Sequence, residues 1–176
     1  MPRDSIALIG FMATGKTTIG RSLVNYLGED YKFIETDQLI IQKTGKTIPQ
    51  IFDEEGESKF REYESSVCEQ ISEFNKVVIS CGGGVVLNKL NVELLKKHCH
   101  IVLLIASLEE ICKRSKRNGI ELRPIINNED PKKEIEKILN FRKPYYEEVA
   151  EIVIDTTNKK VRQIVREIAI KTHLKT

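Results

Sequence analysis

Eight residues near the amino terminus have the types and spacing of a phosphate-binding loop. The segment Gly10–Thr17 fits the pattern G-x-x-x-x-G-K-[ST], with an apolar run, Ile6–Ile9, before it and an amphipathic segment, Lys16–Leu27, after it. In such a loop, backbone N–H groups and a helix N-terminus face the phosphates, the lysine reaches the β- and γ-phosphates, and the last hydroxyl can bind Mg²⁺. The predicted ATP-binding residues here are Gly10, Ala13, Thr14, Gly15, Lys16, Thr17 and Thr18.

The phosphate loop alone does not distinguish a kinase from a GTPase or a mechanical ATPase, since all of these proteins use it. A GTPase would need the guanine-reading pattern N-K-x-D, and none of the Asn-Lys pairs in the chain is followed by the required aspartate. The stretch Asp53 to Gly56 fits the switch pattern D-x-x-G, but it follows a helical segment, and we interpret it as a turn between helices. Asp155 follows a late apolar run, which we interpret as a plain strand end.

Three consecutive glycines, Gly82, Gly83 and Gly84, come shortly after the apolar run Val77–Ile79. Glycine leaves room for a ligand to approach the backbone closely. The triplet therefore predicts a binding site at the edge of a sheet.

Five short apolar runs are typical of buried strands, and they alternate with segments of helical spacing. The runs are Ile6–Ile9, Lys32–Ile34, Val77–Ile79, Ile101–Ile105 and Ile152–Ile154. The helical segments are Lys16–Leu27, Glu57–Phe74, Val92–Lys97, Leu108–Arg117, Lys132–Val149 and Val161–His173. Parallel strands need crossover connections, which are usually helical. The alternation predicts an α/β protein with a five-stranded parallel sheet between two helical layers, the three-layer fold of P-loop NTPases.

Two segments interrupt this alternation, and both contain residues that could handle a substrate. The stretch 37–74 is charged and helical, and inside it Thr47 and Gln50 have capping-box spacing. The stretch 117–129 is a polar loop. We expect residues 1–176 to form a single domain, with a substrate-binding insertion at about 37–74 and a lid at about 117–129.

The composition excludes several classes of partner. The 176 residues carry 28 basic and 26 acidic side chains, and a formal charge of +2 points to neither nucleic acid nor a membrane. The longest apolar run, Ile101 to Ala106, is too short to span a bilayer, so we expect a cytoplasmic protein. The wide spacing of the cysteines is typical of reduced, buried thiols rather than of a zinc site or disulfides. They are Cys68, Cys81, Cys99 and Cys112.

Five separate motifs, spread from Ile6 to about Val165, together resemble the shikimate kinase family. They are Gly10–Thr17; Phe33-Ile34-Glu35-Thr36-Asp37; Phe60-Arg61 after Ile51-Phe52 and Gly56-Glu57; Gly82-Gly83-Gly84; and Leu122-Arg123-Pro124 followed by Arg142-x-Pro144-x-Tyr146. The resemblance implies an enzyme that transfers the γ-phosphate of ATP to the 3-hydroxyl of shikimate, in the biosynthesis of chorismate and the aromatic amino acids.

The resemblance also implies how the acceptor is held. Asp37 would contact the acceptor hydroxyl and act as the catalytic base. Arg61 and Arg142 would bind the substrate carboxylate, because a planar guanidinium group matches two carboxylate oxygens at once. The glycines Gly82–Gly84 would offer backbone N–H groups to the substrate, and a side chain there would occupy the space of its ring.

Other residues would serve ATP. By the same resemblance, Arg123 in the polar loop would fold over the phosphates and, together with Lys16 and the catalytic base, complete the catalytic set. Arg114 would stack on adenine, and Val161 stands where the family often has a proline on the other side of the base. Thr17 would bind the Mg²⁺ that accompanies ATP.

This sequence departs from the family's pattern at two positions. Glu35 stands where the family usually has an aspartate, and it would reach Mg²⁺ through water with a side chain one methylene longer. Ala13 stands where many relatives have another glycine. Alanine is tolerable there if it keeps φ below zero, because its methyl group then points away from the nucleotide, and we expect ATP binding to be retained.

Two other functions stay open at this point. One is a kinase for a different small metabolite, such as gluconate or a nucleoside, which Arg61, Arg142 and the glycine triplet disfavour. The other is a nucleotide-dependent switch, for which recognisable switch motifs are missing. The expected partners are the small molecules ATP and shikimate, with Mg²⁺ as cofactor, and we expect the protein to be a monomer.

Overall fold

The computed structural model describes residues 3–117 and 130–174. Most of the predicted lid, including Arg123 and the motif around it, lies outside the described residues.

The five predicted strands form one sheet. They are β1 Ser5–Ile9, β2 Lys32–Glu35, β3 Val77–Ser80, β4 Cys99–Ile105 and β5 Ile152–Asp155. Their order across the sheet is β2-β3-β1-β4-β5, and every neighbouring pair is parallel. Each strand begins and ends within two residues of its prediction, so the prediction of a five-stranded parallel sheet is confirmed.

Helices cover both faces of this sheet. They are α1 Lys16–Leu27, α2 Thr36–Thr44, α3 Ile48–Glu54, α4 Gly56–Ile71, α5 Lys89–His98, α6 Leu108–Arg117, α7 Pro131–Val149 and α8 Val161–Lys171, with a 3₁₀ turn at Val85–Leu87. Because side chains alternate along a strand, Ile6 and Leu8 of β1 pack under α1 and α8, whereas Ala7 and Ile9 pack under the other helices. The prediction of two helical layers is confirmed.

The predicted insertion is helical. It contains α2, α3 and α4, and Thr47 begins α3 with the predicted capping box, since its hydroxyl accepts from Gln50 N and its own N–H donates to Gln50 Oε1. The D-x-x-G match is a turn between helices, as predicted, because α3 ends at Glu54 and α4 begins at Gly56, whose φ is +83°. Helix α4 ends at Ile71, three residues before the predicted end, and the Ser72 hydroxyl there donates to a carbonyl oxygen in the last turn.

The sheet order decides where the predicted site residues lie. Strand β1 lies between β3 and β4, so the phosphate loop after β1 and the glycine triplet after β3 leave the same sheet edge side by side. Strand β2 places Glu35 and the start of α2 next to them. None of the helices in the described ranges is long and apolar enough to cross a membrane.

Candidate functional site

The phosphate loop has the backbone conformation that its glycines permit. Gly10 and Gly15 have φ values of +138° and +101°, and a Cβ on Gly10 would overlap the carbonyl oxygen of Leu104. The Thr14 hydroxyl donates to Phe11 O at 2.9 Å across the loop. These contacts fix the loop against the end of the neighbouring strand β4.

Lys16 folds back over the loop. Its Nζ donates to Gly10 O at 2.9 Å and to Phe11 O at 2.8 Å. The ammonium group is therefore held at the mouth of the loop by backbone oxygens, in a place where phosphate oxygens can replace them.

Ala13 does not meet the condition of a negative φ. Its φ is +58°, in the left-handed region, rather than below zero. For an L-residue with a Cβ, this conformation costs about 1 kcal/mol or more. Hydrogen bonds lie on both sides of this position, since the Thr14 hydroxyl donates to Phe11 O and Arg114 Nη1 donates to Ala13 O.

Two oxygen-bearing side chains meet beside the loop. Thr17 Oγ1 donates to Glu35 Oε1 at 2.6 Å, and Glu35 Oε2 lies 4.0 Å from Arg21 Nη2. The Arg21 guanidinium stacks over the ring of Phe33 at 5.3 Å. A hydroxyl and a carboxylate are ligands that hard divalent cations prefer, so this pair fits a metal that accompanies a nucleotide.

Asp37 lies in the first turn of α2, and its Oδ1 is buried. It faces the glycine triplet, because a Cβ on Gly82 would lie 3.1 Å from Asp37 Oδ1 and 2.8 Å from Glu64 Oε1. Two carboxylates thus approach one glycine, and any side chain at that position would have to displace them.

Arg61 is already neutralised by two carboxylates of its own helix. Its Nη1 lies 2.8 Å from Glu64 Oε2 and its Nη2 lies 3.0 Å from Glu57 Oε1. Burial lowers the pKa of Arg61, but Glu64 and Glu57 together raise it above its usual value. A Cβ on Gly84 would overlap the Arg61 guanidinium.

Glu64, which is only 1% exposed, was missed in the sequence, although its spacing of three residues from Arg61 on a helix could have indicated an ion pair.

Arg142 presents the opposite case. It lies on α7, is 7% exposed, and has no hydrogen-bond or carboxylate partner among the described residues. Its Nη1 lies 3.3 Å from the place of a Cβ on Gly83, and the Tyr146 hydroxyl donates to Gly83 O. Burying a cation without a partner is unfavourable, so the geometry fits a site that receives an anion.

One crevice of about 240 Å³ combines most of the predicted site residues. Its lining includes Ala13, Gly15, Lys16, Thr17, Thr18, Glu35, Asp37, Gly83 and Arg142. Arg61 does not line this crevice, but its guanidinium group lies against Gly84, the residue that follows the lining residue Gly83. The structure therefore brings the lysine of the phosphate loop, a carboxylate and a buried guanidinium group together.

Arg114 lies behind the loop rather than in the crevice. Its Nη1 donates to Ala13 O at 3.3 Å, and its Nη2 donates to Thr156 O at 2.9 Å. Thr156 is buried, and its only signal in the sequence is its position directly after the strand that ends at Asp155. The backbone N–H of Thr157 donates to Asp155 and holds the pKa of that carboxyl group below its usual range.

Comparisons with known proteins indicate the family of this chain. A family model described as shikimate kinase matches residues 12–172. A shikimate kinase from Enterococcus faecalis is 41% identical over 165 residues, which cover 94% of this chain and 96% of that protein. A solved structure of a shikimate kinase from Acinetobacter baumannii in complex with shikimate has a TM-score of 0.88 and 34% identity, covering 98% of this chain and 94% of that one.

A gluconokinase from Sinorhizobium meliloti has a TM-score of 0.60 at 17% identity over 98% of this chain and 93% of that one, so that likeness shows the fold alone. The family model and the Enterococcus faecalis relative, in contrast, match nearly the whole length of the sequence. This chain belongs to the shikimate kinase family.

Proposed function

We propose that this protein transfers the γ-phosphate of ATP to the 3-hydroxyl of shikimate, giving shikimate 3-phosphate and ADP. The strongest support for shikimate as the acceptor comes from one side chain. Arg142 is a buried cation in the crevice that contains Lys16 and Asp37, and no described carboxylate pairs with it. Shikimate carries a carboxylate beside its hydroxyl groups, so its binding would supply the missing counter-charge.

Asp37 would act on the acceptor hydroxyl. In the transfer, the hydroxyl oxygen bonds to the γ-phosphorus, the bond from that phosphorus to the β–γ bridging oxygen breaks, and the hydroxyl proton passes to the Asp37 carboxylate. Lys16 would exchange its backbone oxygens for phosphate oxygens and stabilise the charge that develops on them. The shared crevice supports this arrangement, because it places both side chains around one space.

The family's use of ATP implies a divalent metal, and we infer that this metal is Mg²⁺. Thr17 and Glu35 would hold it, since their side-chain oxygens lie 2.6 Å apart at the phosphate loop. The extra methylene of Glu35 does not keep its carboxylate from reaching Thr17. When bound, the metal would neutralise charge on the β- and γ-phosphates.

The remaining predicted roles are also part of the proposal. Arg61 would assist Arg142 with the carboxylate, the glycine triplet would receive the ring, and Arg114 would contribute to the adenine site. The role of Arg123 over the phosphates rests on its motif alone. We further propose that the protein is a cytoplasmic monomer without nucleic acid or membrane partners. The nearly balanced charge supports the absence of those partners, and the four free thiols support the cytoplasm.

Measuring ADP release with and without shikimate tests the proposal. Transfer predicts a strong dependence of turnover on shikimate and formation of one shikimate 3-phosphate per ADP. The panel of acceptors should include gluconate, which also carries a carboxylate, and several nucleosides. Slow ADP release that is indifferent to every acceptor would indicate a switch, and a preference for gluconate would indicate a different metabolite kinase.

A further inference from the structure

A partly buried cluster behind the phosphate loop joins three distant parts of the chain. Arg114 on α6 directs Nη1 at the carbonyl oxygens of Ala13 and Thr14, at 3.3 and 3.5 Å. Thr156, the residue after β5, places its hydroxyl 3.1 Å from Thr14 O and 3.0 Å from Ile105 O. Arg114 also donates to the hydroxyl and the carbonyl oxygen of Thr156, at 3.1 and 2.9 Å. Arg114 and Thr156 together are called the loop clasp below.

The loop clasp is itself held in place. The Nε of Arg114 donates to Glu110 Oε1 at 2.9 Å, one turn earlier on α6. Thr156 is 1% exposed, and its N–H donates to Ile105 O at 2.8 Å. Hydrogen bonds from a charged donor are stronger than those between neutral groups, and the bonds of Arg114 are partly shielded from solvent, so the clasp supports the loop carbonyls that it contacts.

The geometry of the trans peptide determines how this support orients the N–H groups of the loop. In a trans peptide, the N–H of one residue points opposite to the carbonyl of the residue before it. When the clasp holds the carbonyls of Ala13 and Thr14, the N–H groups of Thr14 and Gly15 are turned away from the clasp. The crevice is lined by Ala13, Gly15 and Lys16 but by neither residue of the clasp, which therefore acts from behind the loop.

The conformation of Ala13 gives a second reason for such a support. A residue with a Cβ keeps φ at +58° only where its surroundings hold it there. The Ala13 carbonyl is a direct partner of Arg114. The clasp thus contacts the one non-glycine residue of the loop that has a positive φ.

We propose that Arg114 and Thr156 are positioning residues of the nucleotide site, which keep Ala13 left-handed and aim the loop N–H groups at the phosphates. Thr156 has no assigned role in the site, and Arg114 gains a role distinct from stacking on adenine. The inference rests on the proposed use of ATP. It predicts that removing one buried hydroxyl, remote from the acceptor, weakens nucleotide binding and leaves acceptor binding unchanged.

Thr156→Val tests this inference, because valine keeps the shape of threonine and removes the hydroxyl. We expect the Kd for ADP, measured by calorimetry, to rise about tenfold, while the KM for shikimate stays within about twofold. Thr156→Ser should restore ADP binding. Thr157→Val is the matched control, since the Thr157 hydroxyl accepts from Ser107 N and does not contact the loop. Unchanged ADP binding in Thr156→Val, with or without a lower Tm, would overturn the inference.

The same substitution in an Ala13→Gly background separates positioning from general support. Glycine adopts positive φ without help, so Thr156→Val should weaken ADP binding only about threefold or less in that background. An equal loss in both backgrounds would overturn the role assigned to Ala13. Failure of the proposed function would give a different result. The unmodified protein would then show no shikimate-dependent turnover, but Thr156→Val would still weaken ADP binding more with Ala13 present than with Gly at that position.

Discussion

The two halves of the crevice are built in different ways. The nucleotide half comes almost entirely from one continuous stretch, Gly10 to Thr18, with support from behind. The acceptor half combines side chains from α2, α4 and α7 with the glycines after β3. Local sequence therefore determines the first half, whereas the second exists only once the sheet and its helices have assembled.

The halves also differ in how their charges are satisfied. Lys16 is held by backbone oxygens and Thr17 by Glu35, so the described nucleotide half is internally bonded. In the acceptor half, Arg61 has two carboxylate partners, but Arg142 has none among the described residues. The two arginines therefore contribute unequally: Arg142 has its charge available for a ligand, while much of the charge of Arg61 is already used.

The largest expected effect comes from the carboxylate between the two halves. Asp37→Asn should lower kcat by about a thousandfold, because no carboxylate would then take the proton from the shikimate hydroxyl. The Kd for ADP should stay within about twofold. Asp53→Asn, on the exposed side of α3, is the matched control and should leave both values unchanged. Near-normal turnover by Asp37→Asn would remove Asp37 from the catalytic role.

The two arginines should separate binding from stability. Arg142→Met should raise the KM for shikimate about a hundredfold, because it removes charged hydrogen bonds to the carboxylate. It should also raise the Tm of the ligand-free enzyme, because it deletes a buried charge that pairs with no carboxylate among the described residues. Arg61→Met should raise KM less, by about tenfold, and lower the free energy of unfolding by about 2 kcal/mol, because the ion pair between Arg61 and the buried Glu64 is lost.

Steady-state kinetics and thermal denaturation of the two variants check this contrast. Lys143→Met, an exposed neighbour of Arg142 on α7, is the control for both measurements. A lower Tm for Arg142→Met would show that the free enzyme satisfies this charge after all. An equal rise in KM for both arginine variants would contradict their unequal contributions.

The difference between the halves also explains what could be predicted from the sequence. The phosphate loop follows from eight consecutive residues, and the five strands follow from apolar runs. Arg61 and Arg142 are 81 positions apart, by subtraction of their numbers, and spacing alone gives no reason to place them on one ligand. Only the resemblance to a family predicted their convergence.

Three features depend on tertiary contacts, and the sequence analysis missed them or predicted them wrongly. Glu64 matters because Gly82 and Arg61 approach it, and Thr156 matters because a loop 142 residues away reaches it. The φ of Ala13 is positive, against the preference of a residue with a Cβ, so the residue type could not reveal it.

Adding a single methyl group to the glycine triplet should have a smaller effect. In Gly84→Ala, the new Cβ overlaps the Arg61 guanidinium, which cannot shift freely because Glu57 and Glu64 hold it. We expect the KM for shikimate to rise about tenfold and the Kd for ADP to stay unchanged. Gly45→Ala is the control, because a Cβ on Gly45 would meet no atom within 4 Å. Since the φ of Gly45 is +69°, alanine should lower the free energy of unfolding there without changing KM.

The smallest effect is expected from thiol reagents. Cys81 lines the crevice but is 2% exposed, and burial followed by the proximity of other buried thiols raises its pKa well above the usual range. Burial likewise raises the pKa of Cys68 and of Cys99 to about 12. Because the thiolate is the reactive form, iodoacetamide at pH 8 should leave these three thiols unmodified in the native enzyme, in a Cys112→Ser background.

Mass spectrometry of the alkylated protein checks this expectation, and the same protein in denaturant, where all three thiols should react, is the control. Rapid native labelling of Cys81 that shikimate prevents would show that the wall of the acceptor half opens to solvent. The acceptor half would then take its final shape only when the ligand binds. In that case the Tm of the ligand-free enzyme would no longer report the cost of burying Arg142, because the guanidinium group would reach water whenever the wall opened.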